Sequence, residues 1–313
     1  MADSLKPDKI LKELGELWTT MSKPEPGEGT PEGGVLRACA MTLIAIVDDA
    51  DDSQDLGETL ASLMKDHPSR AIVIRLAEKP DILEGRVFAQ CWMPFGHRRQ
   101  ICCEQVEITV SANRLEDIPP IVSPITVPDL PCTVWVKTAS MPESAAAQKV
   151  LALGNRIILD SNRAGKAGIA TLRKCLDRGF LVGDLAWTRI TEVRELLAQM
   201  IEGVRLEQIE SAAVDYCSAQ PTADVLYLAG WIESIYPGRR VALRHVEGSG
   251  NIREVRIEPG IQVNLSGGCA DFRLGRLKEH ASFHGGGDYD LLNEELRIAV
   301  HDRVFERVLR QVT

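Results

Sequence analysis

The chain has 313 residues, a formal net charge of −9 and 44% hydrophobic residues. That length suggests about two domains, each with enough apolar side chains for a core of its own. The acidic balance argues against a nucleic-acid or anionic-membrane partner, and no apolar run approaches the roughly 18 residues that a membrane span needs.

The first 21 residues mix Lys6, Lys9, Lys12, Asp8, Glu13 and Glu16 with apolar side chains, so no secretory leader is expected. Cys39, Cys91, Cys102, Cys103, Cys132, Cys175, Cys217 and Cys269 are spread over the whole length without a CxxC pair. This is neither a small disulfide framework nor a zinc signature. Most lie in apolar surroundings, where a free cysteine behaves as a small hydrophobe. A reduced, cytoplasmic protein is expected.

Ile10, Leu11, Leu14, Leu17, Trp18 and Met21 recur at helical spacing and predict an amphipathic helix over 5–21. Residues 22–34 hold three prolines and four glycines and read as a flexible linker. The tethered helix docks on its own domain or on a partner; the first is favoured, because packing is what stabilises a short amphipathic helix. Residues 35–47, dense in β-branched side chains from Met41 on, predict a buried strand. The loop that follows carries Asp48, Asp49, Asp51, Asp52 and Asp55. Acids after a strand suit a metal or ribose site, but solvated loops have the same composition.

A helix over 56–66 and a strand over 71–76 complete a βαβ unit, which implies a parallel pair. Pro68 ends the helix. His67, Ser69 and Arg70 stand at the amino end of the second strand. Open parallel sheets bind ligands beyond the carboxyl ends, so a structural or interface role is expected for these three. Strands over 85–93 and 100–111 form an antiparallel hairpin around 94–99, and the alternation of the second slips near Gln105, as at a bulge. Cys102 and Cys103 are adjacent, face opposite sides of a strand and are not expected to pair with each other.

Pro119, Pro120, Pro124, Pro128 and Pro131 exclude a central strand or long helix from 118–131. A strand over 132–137, a helix over 144–153, a strand over 156–160 and a helix over 169–177 ended by Gly179 follow. Thr191 is the expected N-cap of a helix carrying Glu192 in its first turn and Val193, Leu196, Leu197, Met200 and Ile201 on one face. Next come a strand over 206–214 and a helix over 222–236 stopped by Pro237-Gly238. Short strands over 241–246, 252–258, 261–265 and 270–274, separated by turn residues, predict an antiparallel sheet. A single last helix is predicted over 291–312. The fold class is therefore an α/β N-terminal domain with a mixed, mostly parallel sheet, followed by a C-terminal α+β domain with an antiparallel sheet. The expected division is 1–34 for the tethered helix and linker, 35–180 and 181–313.

The run Gly183-Asp-Leu-Ala-Trp-Thr-Arg189 stands at that junction. An aromatic flanked by charges has the chemistry of a binding hot spot. The same run also suits a buried hinge, with Trp187 in the core and Asp184 and Arg189 satisfying loop backbone; this reading leads, because Trp is highly buried on average. Reaction chemistry is sparse elsewhere. There is no Walker loop, no dinucleotide fingerprint and no Gly-x-Ser-x-Gly; Gly248-Ser-Gly250 reads as a hairpin turn. His280 and His284 are four apart, but no helix is predicted there, 282–287 reads as loop and no third ligand is at hand, so no metal site is expected. Gly285-Gly-Gly287 before Asp288 and Asp290 suits a phosphate cradle or, more simply, a flexible connection. No catalytic residue and no cofactor are assigned.

Five stretches, read together, resemble the glucose-6-phosphate dehydrogenase assembly protein family (OpcA-like). They are Arg37-Ala-Cys-Ala-Met-Thr-Leu-Ile44, His67-Pro-Ser-Arg-Ala-Ile72, Ile101-Cys-Cys-Glu-Gln-Val-Glu-Ile108, Val127-Pro-Asp-Leu-Pro131 with Trp135, and Gly183-Asp-Leu-Ala-Trp-Thr-Arg189 running into Arg194-Glu-Leu-Leu197. They are collinear and dense over 35–201. Family members usually carry Pro after the Thr that starts the next helix; here Glu192 stands there, and the long N-terminal linker is particular to this chain. The resemblance implies a non-catalytic partner that binds the dehydrogenase, promotes its active oligomer and activates it. It implies Asp184, Trp187, Thr188, Arg189 and Arg194 as residues that form or support the binding surface. Cys102 and Cys103 are redox candidates, with strand packing as the simpler role. An enzyme of carbohydrate metabolism, binding a sugar phosphate through the first-strand acids and the Gly285 loop, is the alternative, and a metabolite-sensing adaptor a third.

Overall fold

The computed structural model describes residues 5–21, 35–92, 100–139, 141, 144–236, 238–283 and 286–312. The chain divides into two compact units, Met1–Ile158 and Leu159–Thr313. The predicted linker, the 94–99 turn, Pro237, His284 and Gly285 lie outside the described residues.

The first unit contains α1 (Pro7–Met21), β1 (Val35–Arg37), β2 (Met41–Asp48), α2 (Ser53–Asp66), β3 (Ser69–Ala77), β4 (Leu83–Trp92), β5 (Gln100–Ser111), α3 (Ile118–Val122), β6 (Cys132–Val136), α4 (Ala145–Leu151) and β7 (Arg156–Leu159). Its sheet runs β1-β5-β3-β2-β6-β7, with β4 on β5. β2 pairs parallel with β3 and β6, β3 parallel with β5, and β4 antiparallel with β5. The βαβ unit and the hairpin are thus as the apolar periodicity predicts. Ile44, Ile46, Ile72 and Ile74 are wholly buried at its centre.

The expected bulge at Gln105 is not there. The β4–β5 register is continuous from Leu83↔Val110 to Trp92↔Ile101. The alternation breaks because β5 is covered on both faces, so Glu104, Gln105 and Glu107 are buried along with their apolar neighbours. Buried carboxylates need partners. Arg70 Nε donates to Glu104 Oε2 at 2.5 Å, and Arg75 and Arg86 both reach Glu107. α1 docks on this unit: Ile10 and Leu14 are buried, and Trp18 Nε1 donates to Glu104 Oε1 at 2.5 Å.

The acidic loop after β2 is organised from inside. The Arg75 guanidinium donates to the carbonyls of Asp48 and Asp51 and to Ser53 Oγ, each at 3.0 Å. Asp52 caps α2 through the Gln54 amide, and Asp48 accepts from Thr138 Oγ1 at 2.5 Å. These contacts give the loop a structural account for Asp48 and Asp52.

The second unit contains α5 (Ser161–Asp177), β8 (Leu181–Asp184), α6 (Leu185–Thr188), α7 (Thr191–Glu202), β9 (Ser211–Tyr216), α8 (Ala223–Ile235), β10 (Val241–His245), β11 (Ile252–Glu258), β12 (Ile261–Ser266), β13 (Cys269–Leu274), β14 (Leu277–Ser282), α9 (Asp288–Arg297) and α10 (Arg303–Gln311). Its six-stranded sheet runs β10-β9-β11-β12-β13-β14. β11, β12 and β13 form the expected antiparallel ladders and β14 adds one that was not expected, whereas β9 and β10 pair parallel, because α8 carries the chain between them. α8 is apolar around most of its surface and packs against α5, α6, α10, β9 and β10.

Three local expectations are corrected here. The helix after β7 begins at Ser161, not near 169, because Asp160 accepts from the Asn162 amide and caps it; non-helical Gly165 interrupts its first turns. α7 has Ile190 as its N-cap, without a side-chain bond, while Thr191 Oγ1 instead accepts from Arg194. The single last helix is two, α9 and α10, because Asp302 accepts from the Val304 and Phe305 amides and starts a new one. The compact units meet after Ile158, and α5 packs on α8 and α10 of the second unit.

Candidate functional site

The 183–189 run is the densest polar knot of the second unit. β8 ends at Asp184, whose extended backbone makes it the N-cap of α6. Its Oδ1 accepts from the Ala186 and Ser161 amides, both at 2.9 Å, and its Oδ2 accepts from Tyr227 Oη at 2.7 Å. Asp184 is 0% exposed. Burial pushes its carboxyl up to about 7, against the pull of those hydrogen bonds. The Tyr227 hydroxyl is held well above its ordinary range, first by burial and then by the Asp184 charge, so it remains a donor.

Trp187 is 2% exposed. Its ring meets Phe305 at 5.5 Å and Tyr227 edge-on at 6.2 Å, and the Arg194 guanidinium lies 3.6 Å from its centroid. Its Nε1 donates to Asp302 Oδ2 at 3.1 Å. Asp302 thus starts α10 with one oxygen and holds the indole with the other. Desolvation pushes Arg194 down to about 10, opposed by the charges of Asp302, Glu294, Glu195 and Glu295. Cation–π contact compensates part of that burial.

Thr188 donates to Glu295 Oε2 at 2.7 Å, and both residues are buried. The same glutamate explains the small residue in the run: a Cβ on Gly183 would lie 2.1 Å from Glu295 Oε1. Arg189 makes a two-pronged contact with Asp160, at 2.9 and 3.4 Å, and keeps 28% of its side chain exposed. Burial works against its charge, and Asp160 more than offsets this, so its pKa is raised.

The structure therefore brings Asp184, Trp187, Thr188, Arg189 and Arg194 together in one largely buried cluster. Trp187 does not project as an anchor; what reaches the surface is part of Arg189 and part of Arg194. Ser161, Asp160, Tyr227, Glu295, Asp302 and Phe305 complete the knot, and sequence reasoning missed them. Two signals were there: a tyrosine within the apolar α8, and an Asp followed by a helix-forming run at 302.

The other candidates belong to the first unit. Arg70 and Ser69 are buried, and Arg70 also donates to the Ile125 carbonyl at 2.6 Å. His67 forms the C-cap of α2. Arg70 thereby ties the start of β3 to β5 and to the Ile125 backbone. Cys103 is free and buried, its thiol pushed up to about 11 mainly by burial, which makes it a poor nucleophile. Cys102 is disulfide-bonded, a departure from the all-reduced expectation. The hairpin register sets Cys91 opposite Cys102, a cross-strand neighbour that reasoning about adjacent cysteines overlooked. His280 Nδ1 lies 2.9 Å from Asp271, and among the described residues no group of three or more acids, histidines or cysteines forms a metal cage.

Two family models match end to end along the chain. The glucose-6-phosphate dehydrogenase subunit N-terminal domain covers residues 60–175, and the C-terminal domain of the same subunit covers 181–309. The chain belongs to the OpcA-like glucose-6-phosphate dehydrogenase assembly family. The OxPP cycle protein OpcA of Synechococcus elongatus is 26% identical over 259 residues, spanning 77% of this chain and 58% of that protein. The OxPP cycle protein OpcA of Synechocystis sp. is 24% identical over 239 residues, spanning 71% of this chain and 49% of that one. The chain thus spans about half the length of the curated relatives it matches. Among solved structures, an NAD-binding oxidoreductase from Klebsiella pneumoniae shares 9% identity at a TM-score of 0.49, over 87% of this chain and 95% of that one. The biliverdin reductase of Synechocystis sp. PCC 6803 shares 12% identity at 0.45, over 86% and 96%. In the OpcA-like chain described here, no helix among the described residues is long and apolar enough to cross a membrane.

Proposed function

We propose that this chain is a non-catalytic assembly factor of glucose-6-phosphate dehydrogenase, which binds the enzyme, favours its active oligomer and activates it within the oxidative pentose phosphate pathway. The observation that carries the reading is the pair of family models, which match in order from residue 60 to residue 309. The knot around Asp184 supports it. The carboxylate spends both oxygens on Ser161, Ala186 and Tyr227, and Trp187 is clasped by Arg194, Phe305 and Asp302, so these groups stiffen a surface from beneath rather than offer themselves to a substrate. Activation requires tighter binding to the active dehydrogenase than to the inactive one, since only differential affinity shifts a population.

The test is dehydrogenase rate against substrate concentration, with and without this protein from the same source, together with co-elution. A lowered apparent substrate requirement and a shared elution peak are expected. Independent elution with an unchanged rate curve would remove the reading, and turnover of a sugar phosphate by this protein alone would replace it with an enzymatic one.

A further inference from the structure

The second sheet ends in an open edge. β10 pairs only with β9 in the sheet order, and all of Ala242, Leu243, Arg244 and His245 are exposed. The Val246 amide donates to the Tyr216 carbonyl of β9. Counting back by the strand period of two, Arg244 and Ala242 also aim their backbone at β9, whereas Val241, Leu243 and His245 aim theirs outward. The outward Val241 amide is taken by Glu233 Oε1 at 2.9 Å. Leu243 and His245 face outward with no strand beyond them among the described residues.

Beside this edge lies a groove of about 230 Å³ whose apolar walls include Leu226, Ala229, Gly230, Leu243 and Val312. It continues, through Glu233, Arg240 and Gln311, into a depression of about 610 Å³ that also holds Arg239 and Arg307. Arg240 reaches Glu233 at 3.5 Å, and Arg239 donates to the Glu210 carbonyl. Three arginines against one glutamate make a positive basin on a chain whose net charge is −9.

We propose that β10 is a docking edge for an extended segment of the dehydrogenase, added as a further strand, with apolar side chains in the groove and carboxylates at its end among Arg239, Arg240 and Arg307. This rests on the functional reading above. Strand addition takes its affinity from main-chain hydrogen bonds and its specificity from alternate side chains. Charge selects the occupant. A second copy paired antiparallel across a two-fold at Leu243 would set Arg244 of each copy diagonally from Arg240, just ahead of the other β10, and like charges so placed disfavour it. An acidic segment finds the opposite sign.

The experiment uses the full chain and the dehydrogenase. Hydrogen exchange at the Leu243 and His245 amides is followed in the free protein and in the complex, and affinity is measured for Leu243→Pro and for the double reversal Arg239→Glu/Arg307→Glu. Proline at 243 removes only an outward-facing donor, a change that edge strands tolerate; thermal melts verify that both variants fold. Slowed exchange at the two amides and an affinity loss of about tenfold or more in each folded variant are expected. A wild-type complex with unchanged exchange and unaltered variant affinities overturns the docking edge and leaves the functional reading standing. Absence of a wild-type complex overturns both. Protection that appears without dehydrogenase and rises with protein concentration assigns the edge to self-pairing, and overturns it too.

Discussion

Glu104 and Glu107 in the first unit and Asp184 in the second are buried carboxylates held by opposite means. In the first, Glu104 and Glu107 each sit against arginine: Arg70 at 2.5 Å from one, Arg75 and Arg86 on the other. In the second, Asp184 is wholly buried, yet its hydrogen-bond donors are two amides and a tyrosine, all neutral. A buried charge with a cation in contact is balanced locally, and losing the cation is costly. A buried carboxylate held by neutral donors gives way by taking up a proton. The Glu104 and Glu107 sites are therefore most vulnerable to mutation of a partner, and the Asp184 site to pH.

The largest effect falls on the first arrangement. Arg70→Met takes the countercharge away from buried Glu104, and a loss of about 3–5 kcal/mol is expected in urea unfolding. The double variant Arg70→Met/Glu104→Met recovers most of it, since an apolar pair needs no countercharge. If the double variant were as unstable as the single one, the ion pair would not be what the arginine is there for.

Next in size is the pH response of Asp184. Its folded pKa of about 7 stands above the ordinary 3.8, so between those values the folded state holds a proton that the unfolded state releases. Stability then falls as pH rises from about 4 to about 7 and is flat, for this group, above that. Asp184→Asn flattens this slope and costs about 1–3 kcal/mol at low pH, because one amide oxygen replaces two acceptors. Melts of both proteins across the range, compared by difference, report it; parallel curves would show that the carboxyl ionises as freely in the fold as outside it. Smaller again is Trp187→Phe, which keeps a ring against Phe305 but removes the bond to Asp302. About 2 kcal/mol is expected, with dehydrogenase activation retained in the fraction that stays folded.

Much of the scaffold was legible in local patterns. The apolar run at 41–47, the helix at 56–66 and the apolar run at 71–76 mark a parallel pair without further help, and the turn residues after 246 mark the ladders of the second sheet. The Gly183–Arg189 run was legible as a landmark but not as a mechanism. Asp184 meets Tyr227 across 43 residues and Trp187 meets Asp302 across 115, and no spacing rule reaches that far. The slipped alternation of β5 misled for a related reason. Polar residues signal a solvent face only when nothing neutralises them, and Arg70 and Arg75 come from a neighbouring strand. The broken last helix was an error of a different kind, since Asp302 carried a local capping signal that the long apolar stripe outweighed.

Arg86 sharpens the comparison at its weakest point. It reaches the same Glu107 as Arg75, at 2.5 Å, but 68% of its side chain is exposed, against 9% for Arg75. Short distance alone would rank its contact above the 3.3 Å contact of Arg75. Solvent screening and the entropy of holding a long exposed side chain reverse that order. Arg86→Gln is accordingly expected to cost about 0–1 kcal/mol, a loss that 0.5 M salt largely erases, whereas Arg75→Gln costs several times more and responds little to salt because it also loses the carbonyls of the Asp48 loop. Equal losses from the two variants would mean that Glu107 is stabilised by the sum of nearby charge. Unequal ones would place the weight on the buried arginine, whose head is fixed by backbone on one side and carboxylate on the other.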